Sequence, residues 1–271
     1  MTDHKKYALI TGATQGIGLE LARLFAKDQY NLIIVARSQQ ELNNTAAELK
    51  QQYGIEVVGI AKDLFERNAP FEVYDEIKAK GIQVDVLVNN AAQGQYGEFV
   101  DTDISRELDI IQLNIGAYLS FTKKYLKEMV ARNEGKILMV SSIAGEVPGP
   151  LQAVYHGTKA FITSFTEAIQ EEIKTKGSKV TITYLLPGAT DTDFFYKADM
   201  ENSKMVQDGS LADPAKVAKD GYEALMSGDE KIISGLKNKA MVAGTKLMSD
   251  NLAAKAMHKQ MEPKDKEKSK S

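Results

Sequence analysis

The chain has 271 residues, 43% hydrophobic and 26% charged, with a net charge of −3, values ordinary for one large globular domain. That balance offers no basic stripe for nucleic acid, no apolar run approaches the ~18 residues of a membrane span, and YALI near the N-terminus is too short for a secretory leader. No cysteine is present and His4, His156 and His258 are scattered, which excludes disulfides, argues against a histidine zinc site, and makes a reducing, cytoplasmic setting the expectation.

In chain order, YALIT (7–11) reads as a strand and runs straight into TGATQGIG (11–18), which opens the helical pattern GIGLELARLFAKD. Gly12, Gly16 and Gly18 suit a tight turn whose backbone N–H groups approach a pyrophosphate at a helix N-terminus. The second strand, NLIIVA (31–36), ends in Ala36 and Arg37, where an NAD-binding chain carries an acid about 20 residues past the glycines. A guanidinium there, with Ser38 beside it, suits a 2′-phosphate and so NADP(H); the plainer reading is a surface arginine at a strand end. QELNNTAAELKQQ is helical in spacing and EVVGI (56–60) is a third strand. Asp63, which follows, is placed to reach an adenine amino group or to cap the next helix.

VDVLVNN (84–90) is the fourth strand, and its NNA end (89–91) either holds backbone beside a cofactor or simply turns. Ser105 to Val130 is one long helical stretch. KILMVSS (136–142) is the fifth strand, followed by the helical AVYHGTKAFITSFTEAIQEEIK; KVTITYL (179–185) and EKIIS (230–234) complete seven strands. Several are apolar almost throughout, as strands buried on both faces of a parallel sheet are. The alternation predicts a doubly wound, mostly parallel α/β (Rossmann) domain with right-handed crossovers over residues 1–236. Residues 191–213 form a long connection rich in aromatic and methionine side chains. Residues 237–262 read as a Met-rich helix whose Met241, Met248, Met257 and Met261 are expected to pack rather than to bind. A disordered charged tail, 263–271, ends the chain.

Two Tyr-xxx-Lys pairs sit one helical turn apart, Tyr74–Lys78 and Tyr155–Lys159. A free phenol titrates near ~10; a neighbouring cation lowers that value, and a second donor stabilises charge developing on a carbonyl oxygen. Ser142 stands 13 residues before Tyr155 at the carboxyl end of a strand, where open α/β sheets hold ligands. The same spacing before Tyr74 gives Ala61, and no proline–glycine turn follows. Tyr155–Lys159 is therefore the functional pair and Tyr74–Lys78 a surface helix pair. Ser141 faces the opposite way from Ser142. His156 lies on a different helix face from Tyr155 and reads as exposed or interfacial.

TGATQGIG, Asp63, NNAA, Asn114, Ser142, Tyr155-xxx-Lys159 and PGATDT (187–192) occur in the order and spacing of the short-chain dehydrogenase/reductase family. The resemblance covers about residues 5–235, and Ala92 stands where that family usually has glycine. It implies Tyr155 as acid/base, Ser142 on the carbonyl oxygen, Lys159 on the nicotinamide ribose and Asn114 holding a relay water; without it, Asn114 is a buried, satisfied polar residue. Pro187, Gly188 and Thr192 would border the nicotinamide. Thr14, Gln15, Ile17, Leu64, Asn90, Ala91 and Thr190 complete the expected cofactor contacts. The implied activity is NADP(H)-dependent interconversion of a ketone or aldehyde with an alcohol. The 191–213 loop, with Val147 and Pro148, points to an apolar or amphipathic substrate. A homodimer or homotetramer built on the helices near 105–130 and 153–175 is implied as well. The rivals are a non-catalytic NADP(H)-binding regulator, which needs no Ser–Tyr–Lys set, and an S-adenosylmethionine methyltransferase, which usually wants an acid where Arg37 stands.

Overall fold

The computed structural model describes residues 5–245 and 247–264. Its core is a seven-stranded sheet, every pairing parallel, in the order β3-β2-β1-β4-β5-β6-β7. The elements run β1 (Tyr7–Thr11), α1 (Gly16–Lys27), β2 (Asn31–Ala36), α2 (Gln39–Tyr53), β3 (Val57–Ala61), α3 (Ala69–Ala79), β4 (Val86–Asn89) and α4 (Ile104–Ile111). After one π-helical turn (Gln112–Ala117) come α5 (Tyr118–Arg132), β5 (Lys136–Val140), a 3₁₀ turn (Ile143–Glu146), α6 (Ala153–Thr175) and β6 (Thr181–Leu186). The chain ends with α7 (Phe194–Lys197), α8 (Lys204–Asp208), α9 (Pro214–Ser227), β7 (Lys231–Ile233), α10 (Leu236–Thr245) and α11 (Asp250–Met261).

Strand apolarity is explained by helices on both faces. Along β1, Leu9 faces one buried cluster with Ile33, Leu87 and Tyr125, while Ala8 and Ile10 face the other with Leu21, Phe25 and Leu225. The chain order reverses between β1 and β4, so a crevice opens at the carboxyl ends of those two strands, where open α/β sheets bind ligands.

Three elements depart from the sequence reading. The expected single stretch from 105 to 130 is α4 and α5 joined by the π turn, an insertion often found at functional sites. The Met-rich stretch forms two helices, α10 and α11, rather than one. Helix α9 was not anticipated, although Asp213 caps it, accepting from the Ala215 N–H at 2.9 Å, and Pro214 and Gly228 punctuate its ends. Of the expected tail, Pro263 and Lys264 are paired with residues 202–203, and 265–271 lie outside the described residues.

Candidate active site

The glycine turn is built so that side chains cannot fill it. A Cβ on Gly18 would lie 2.1 Å from the Gly12 carbonyl oxygen, and one on Gly16 (φ 53°) would lie 2.8 Å from Thr192 Cγ2. Asn90 locks the turn from β4, its Nδ2 donating to the carbonyls of Thr11 (2.9 Å) and Gly12 (3.1 Å). The Thr11 hydroxyl accepts from the N–H groups of Asn90 (2.9 Å) and Ala91 (3.1 Å). Helix α1 starts there with no side-chain cap and no acid in its first turn, so its positive end faces the crevice.

One cavity of about 780 Å³ is lined by this turn, by Arg37, Ser38, Asp63 and Leu64, by Ser142, Tyr155 and Lys159, and by Pro187, Gly188, Thr190 and Thr192. That volume lies within the roughly 300–1,000 Å³ of ligand pockets. Bare glycine backbone, an uncapped helix N-terminus and the volume together fit a dinucleotide.

Every cofactor residue expected from sequence borders this one cavity, whereas Asn114, expected to hold a relay water, does not; several of the cofactor residues have tasks of their own. Ser38 caps α2, accepting from the Glu41 N–H at 3.2 Å. Asp63 accepts from the Phe65 N–H at 3.1 Å, a local turn rather than a helix cap. Arg37 is exposed, with its guanidinium 5.5 Å from the centre of the Phe65 ring. Sequence reasoning missed Glu41, which also lines the cavity and accepts from the Thr14 hydroxyl at 3.2 Å.

Tyr155 and Lys159 come from the first turns of α6, and Ser142 from the end of β5. Ser142 Oγ accepts from the Ala144 N–H at 3.1 Å and donates to the Pro187 carbonyl at 3.4 Å, and it lies close enough to Tyr155 to favour the ionised phenol. Ser141 is directed into the core, donating to the Lys159 carbonyl at 3.0 Å. Lys159 is 1% exposed, its Nζ donating to the Val140 carbonyl at 2.9 Å and lying 5.8 Å from the Tyr155 ring centre. The expected lowering of the phenol by this lysine is not what the geometry gives. Burial pushes Tyr155 up to about 12, with only the Ser142 hydroxyl pulling it down. Burial also lowers Lys159 to about 7, so it is a partial cation at neutral pH.

Asn114 sits in the π turn, 0% exposed, with its carboxamide fully engaged. Its Oδ1 accepts from the Gln93 N–H at 3.1 Å, and its Nδ2 donates to the Gln93 carbonyl (2.9 Å) and Thr158 Oγ1 (3.0 Å). The side chain thus fixes the 93 segment against α6. His156 is buried, contrary to the exposed or interfacial position expected, because Val147 turns back over it and its carbonyl accepts from Nδ1–H at 2.9 Å; burial lowers its pKa. Tyr74 and Lys78 both reach Glu128 on α5, the lysine at 3.1 Å, far from the cavity residues.

The substrate half begins at Tyr155, whose ring lies 4.9 Å from Phe194. Gly94 closes one side: a Cβ there would meet Phe194 at 3.0 Å and Gln152 Nε2 at 3.2 Å. Gln152 is buried and its Nε2 has no hydrogen-bond partner, and it follows Leu151, held at φ 66°. Gln152 and Tyr155 both border the cavity, so the unmatched amide donor lies at its wall.

The fold and the site together fit a dinucleotide-binding α/β domain. The sequence model of the short chain dehydrogenase family matches residues 6–203, and the chain belongs to that family. It is 39% identical over 172 residues to a very-long-chain 3-oxoacyl-CoA reductase of Laccaria bicolor, covering 62% of this chain and 50% of that protein. A protein of the same description from Homo sapiens is 34% identical over 178 residues, 64% of this chain and 56% of that one. The chain therefore spans about half the length of the curated relatives it matches. Among solved structures, a short-chain dehydrogenase from Sphingobium yanoikuyae in complex with NADPH is similar at a TM-score of 0.79 and 25% identity, covering 90% of this chain and 96% of that one. A short-chain dehydrogenase/reductase from Burkholderia phymatum in complex with NAD shares the fold at a TM-score of 0.80 and 21% identity, covering 98% of this chain and 99% of that one. Among the described residues no helix is long and apolar enough to cross a membrane, and no cluster could hold a metal ion.

Proposed function

We propose that the protein is an NADP(H)-dependent reductase of ketones or aldehydes carrying an apolar group, with Tyr155 as the proton donor. The observation that carries this is the phenol, kept protonated by burial, in the same cavity as Ser142 and the bare glycine turn. When bound, the nicotinamide supplies the hydride. Tyr155 gives its proton to the carbonyl oxygen as negative charge develops there, and Ser142 donates a second hydrogen bond to the same oxygen. Gly12 to Gly18 and the end of α1 would hold the pyrophosphate, and Lys159 the nicotinamide ribose. A 3-oxoacyl thioester, the substrate type named for the relatives, has a second carbonyl that the free Gln152 amide suits. A reducing, cytoplasmic compartment is the proposed setting, in keeping with a chain without cysteine.

NADP(H) rests on Arg37 at the end of β2 in place of an acid. A second reading has its own observation: the Glu41 carboxylate at the same end of the cavity would favour ribose hydroxyls, and so NAD. The ratio of kcat/KM for NADPH over NADH decides between them. We expect it to exceed about 10, and to fall by about tenfold in Arg37→Ala as a charge-assisted bond is lost. A ratio below unity in the unaltered enzyme would favour the Glu41 reading.

A homodimer is the proposed assembly. Ile104 and Leu108 of α4 are 60% and 56% exposed, and Phe161 of α6 is 39% exposed, an apolar face suited to a second copy. Light scattering at micromolar concentration should give twice the 29.8 kDa chain mass; a monomer mass would overturn it.

A further inference from the structure

The Met-rich C-terminal segment has a place in the site that family membership does not describe, since the family match ends at residue 203. Between Thr190 and Ala212, which pair as a parallel bridge, the chain leaves the body to form α7 and α8. Helix α11 lies on that excursion. The Lys204 N–H donates to the Glu262 carbonyl at 2.9 Å, and their side chains pair at 2.7 Å. Ser203 bridges Pro263, the Lys264 N–H donates to the Asn202 carbonyl at 2.8 Å, and Lys264 Nζ meets Asp208 at 2.6 Å. From the opposite side the Tyr96 hydroxyl donates to the Met261 carbonyl at 2.5 Å.

These bonds hold two thioethers inward. Met257 is 7% and Met261 2% exposed, in an apolar cluster with Phe195, Ala198 and Met200 that is separate from the two clusters of the sheet. Both methionines, with Gln260, also border the cavity that contains Tyr155. If α11 served only to pack, its apolar side would be covered by protein alone; instead it forms one side of an open chamber continuous with the phenol. Methionine presents a flexible, polarizable surface that conforms to an extended apolar chain.

We propose that α11 is the far wall of the substrate site, and that Met257 and Met261 select carbonyl compounds by the length of the apolar chain attached to the carbonyl. This rests on the reductase reading above and names the part of the substrate that the C-terminal helix recognises. The sequence reading assigned these methionines to packing; the cavity gives them a second task.

The test compares kcat/KM for unbranched methyl ketones, from butanone to dodecanone, with NADPH. In Met257→Trp, which shortens the chamber, the dodecanone-to-butanone ratio should fall by about tenfold or more. Gln260→Trp changes an exposed residue and is the variant least exposed to folding defects; it should lower the ratio in the same direction. Ratios within about twofold of the unaltered enzyme in both variants would overturn the proposal. A titration with cis-parinaric acid, followed by its fluorescence, reads the wall without turnover: both variants should bind it about tenfold more weakly, and equal binding would overturn the wall. If no ketone is reduced by the unaltered protein, the reductase reading fails, while the titration still decides the role of α11.

Discussion

Tyr155→Phe should lower carbonyl reduction by about 10³-fold, within the range that positioned proton transfer contributes. The variant keeps the ring, and with it the contact to Phe194 at 4.9 Å, so packing is preserved and only the hydroxyl is removed. The pKa of the phenol is raised to about 12 by burial, so at neutral pH it is a filled proton donor. Its loss should therefore appear equally in kcat and kcat/KM, the pattern of an interaction made in the transition state. NADPH affinity, read from nicotinamide fluorescence, should change by no more than about threefold. The unaltered enzyme should reduce its substrate at a rate that falls as pH rises through about 7, where Lys159 loses its charge, while the phenol itself stays protonated. Alcohol oxidation, which needs the phenolate, should rise with pH instead. Residual reduction above about a tenth of the original rate would show that another group supplies the proton.

The sheet was legible because burial on both faces leaves a plain signal, unbroken β-branched runs such as NLIIVA, which is β2 residue for residue. The Gly12–Gly18 turn and the Ser142, Tyr155 and Lys159 set were legible because spacing and strand ends constrain them together. Other features depend on contacts between distant segments, which spacing does not encode. His156 was misjudged because helical phase says which side it faces but not that Gly149 and Val147 fold over that side; a Cβ on Gly149 would lie 2.1 Å from its ring. Gln152 carried no signal, since an unmatched donor exists only once its surroundings are built. Glu41 could have been found: it lies one turn beyond Ser38 on the face that returns to Thr14. Tyr155 and Lys159 do share the cavity, but their electrostatics differ from the expectation, because one-turn spacing says nothing of desolvation.

Lys159→Met should make the fold more stable while lowering turnover by about 10²-fold, the scale on which a single electrostatic group in a dry site acts. Lys159 is 1% exposed with no carboxylate among its bonded partners, and burial moves it from 10.5 to about 7. Because the folded value lies below the unfolded one, between about pH 7 and about 10.5 the unfolded chain holds the extra proton. Stability contributed by this group therefore rises with pH across that window, and the full penalty is felt below it. That penalty is roughly 5 kcal/mol at most, and losing the bond to the Val140 carbonyl gives back about 1.5–3 kcal/mol. The carbonyl is not orphaned, because the Tyr118 hydroxyl also donates to it at 3.2 Å. The net expectation is a gain of about 2 kcal/mol near pH 6, shrinking as pH rises through the window and gone by about pH 10. Urea unfolding of both proteins at several pH values measures this difference directly, since titrations shared by the two cancel. A variant less stable at every pH would mean that Lys159 is satisfied where it lies and not held there for chemistry. A gain confined to the acidic side, together with lost turnover, would place this ammonium among the residues kept for the reaction against the interest of the fold.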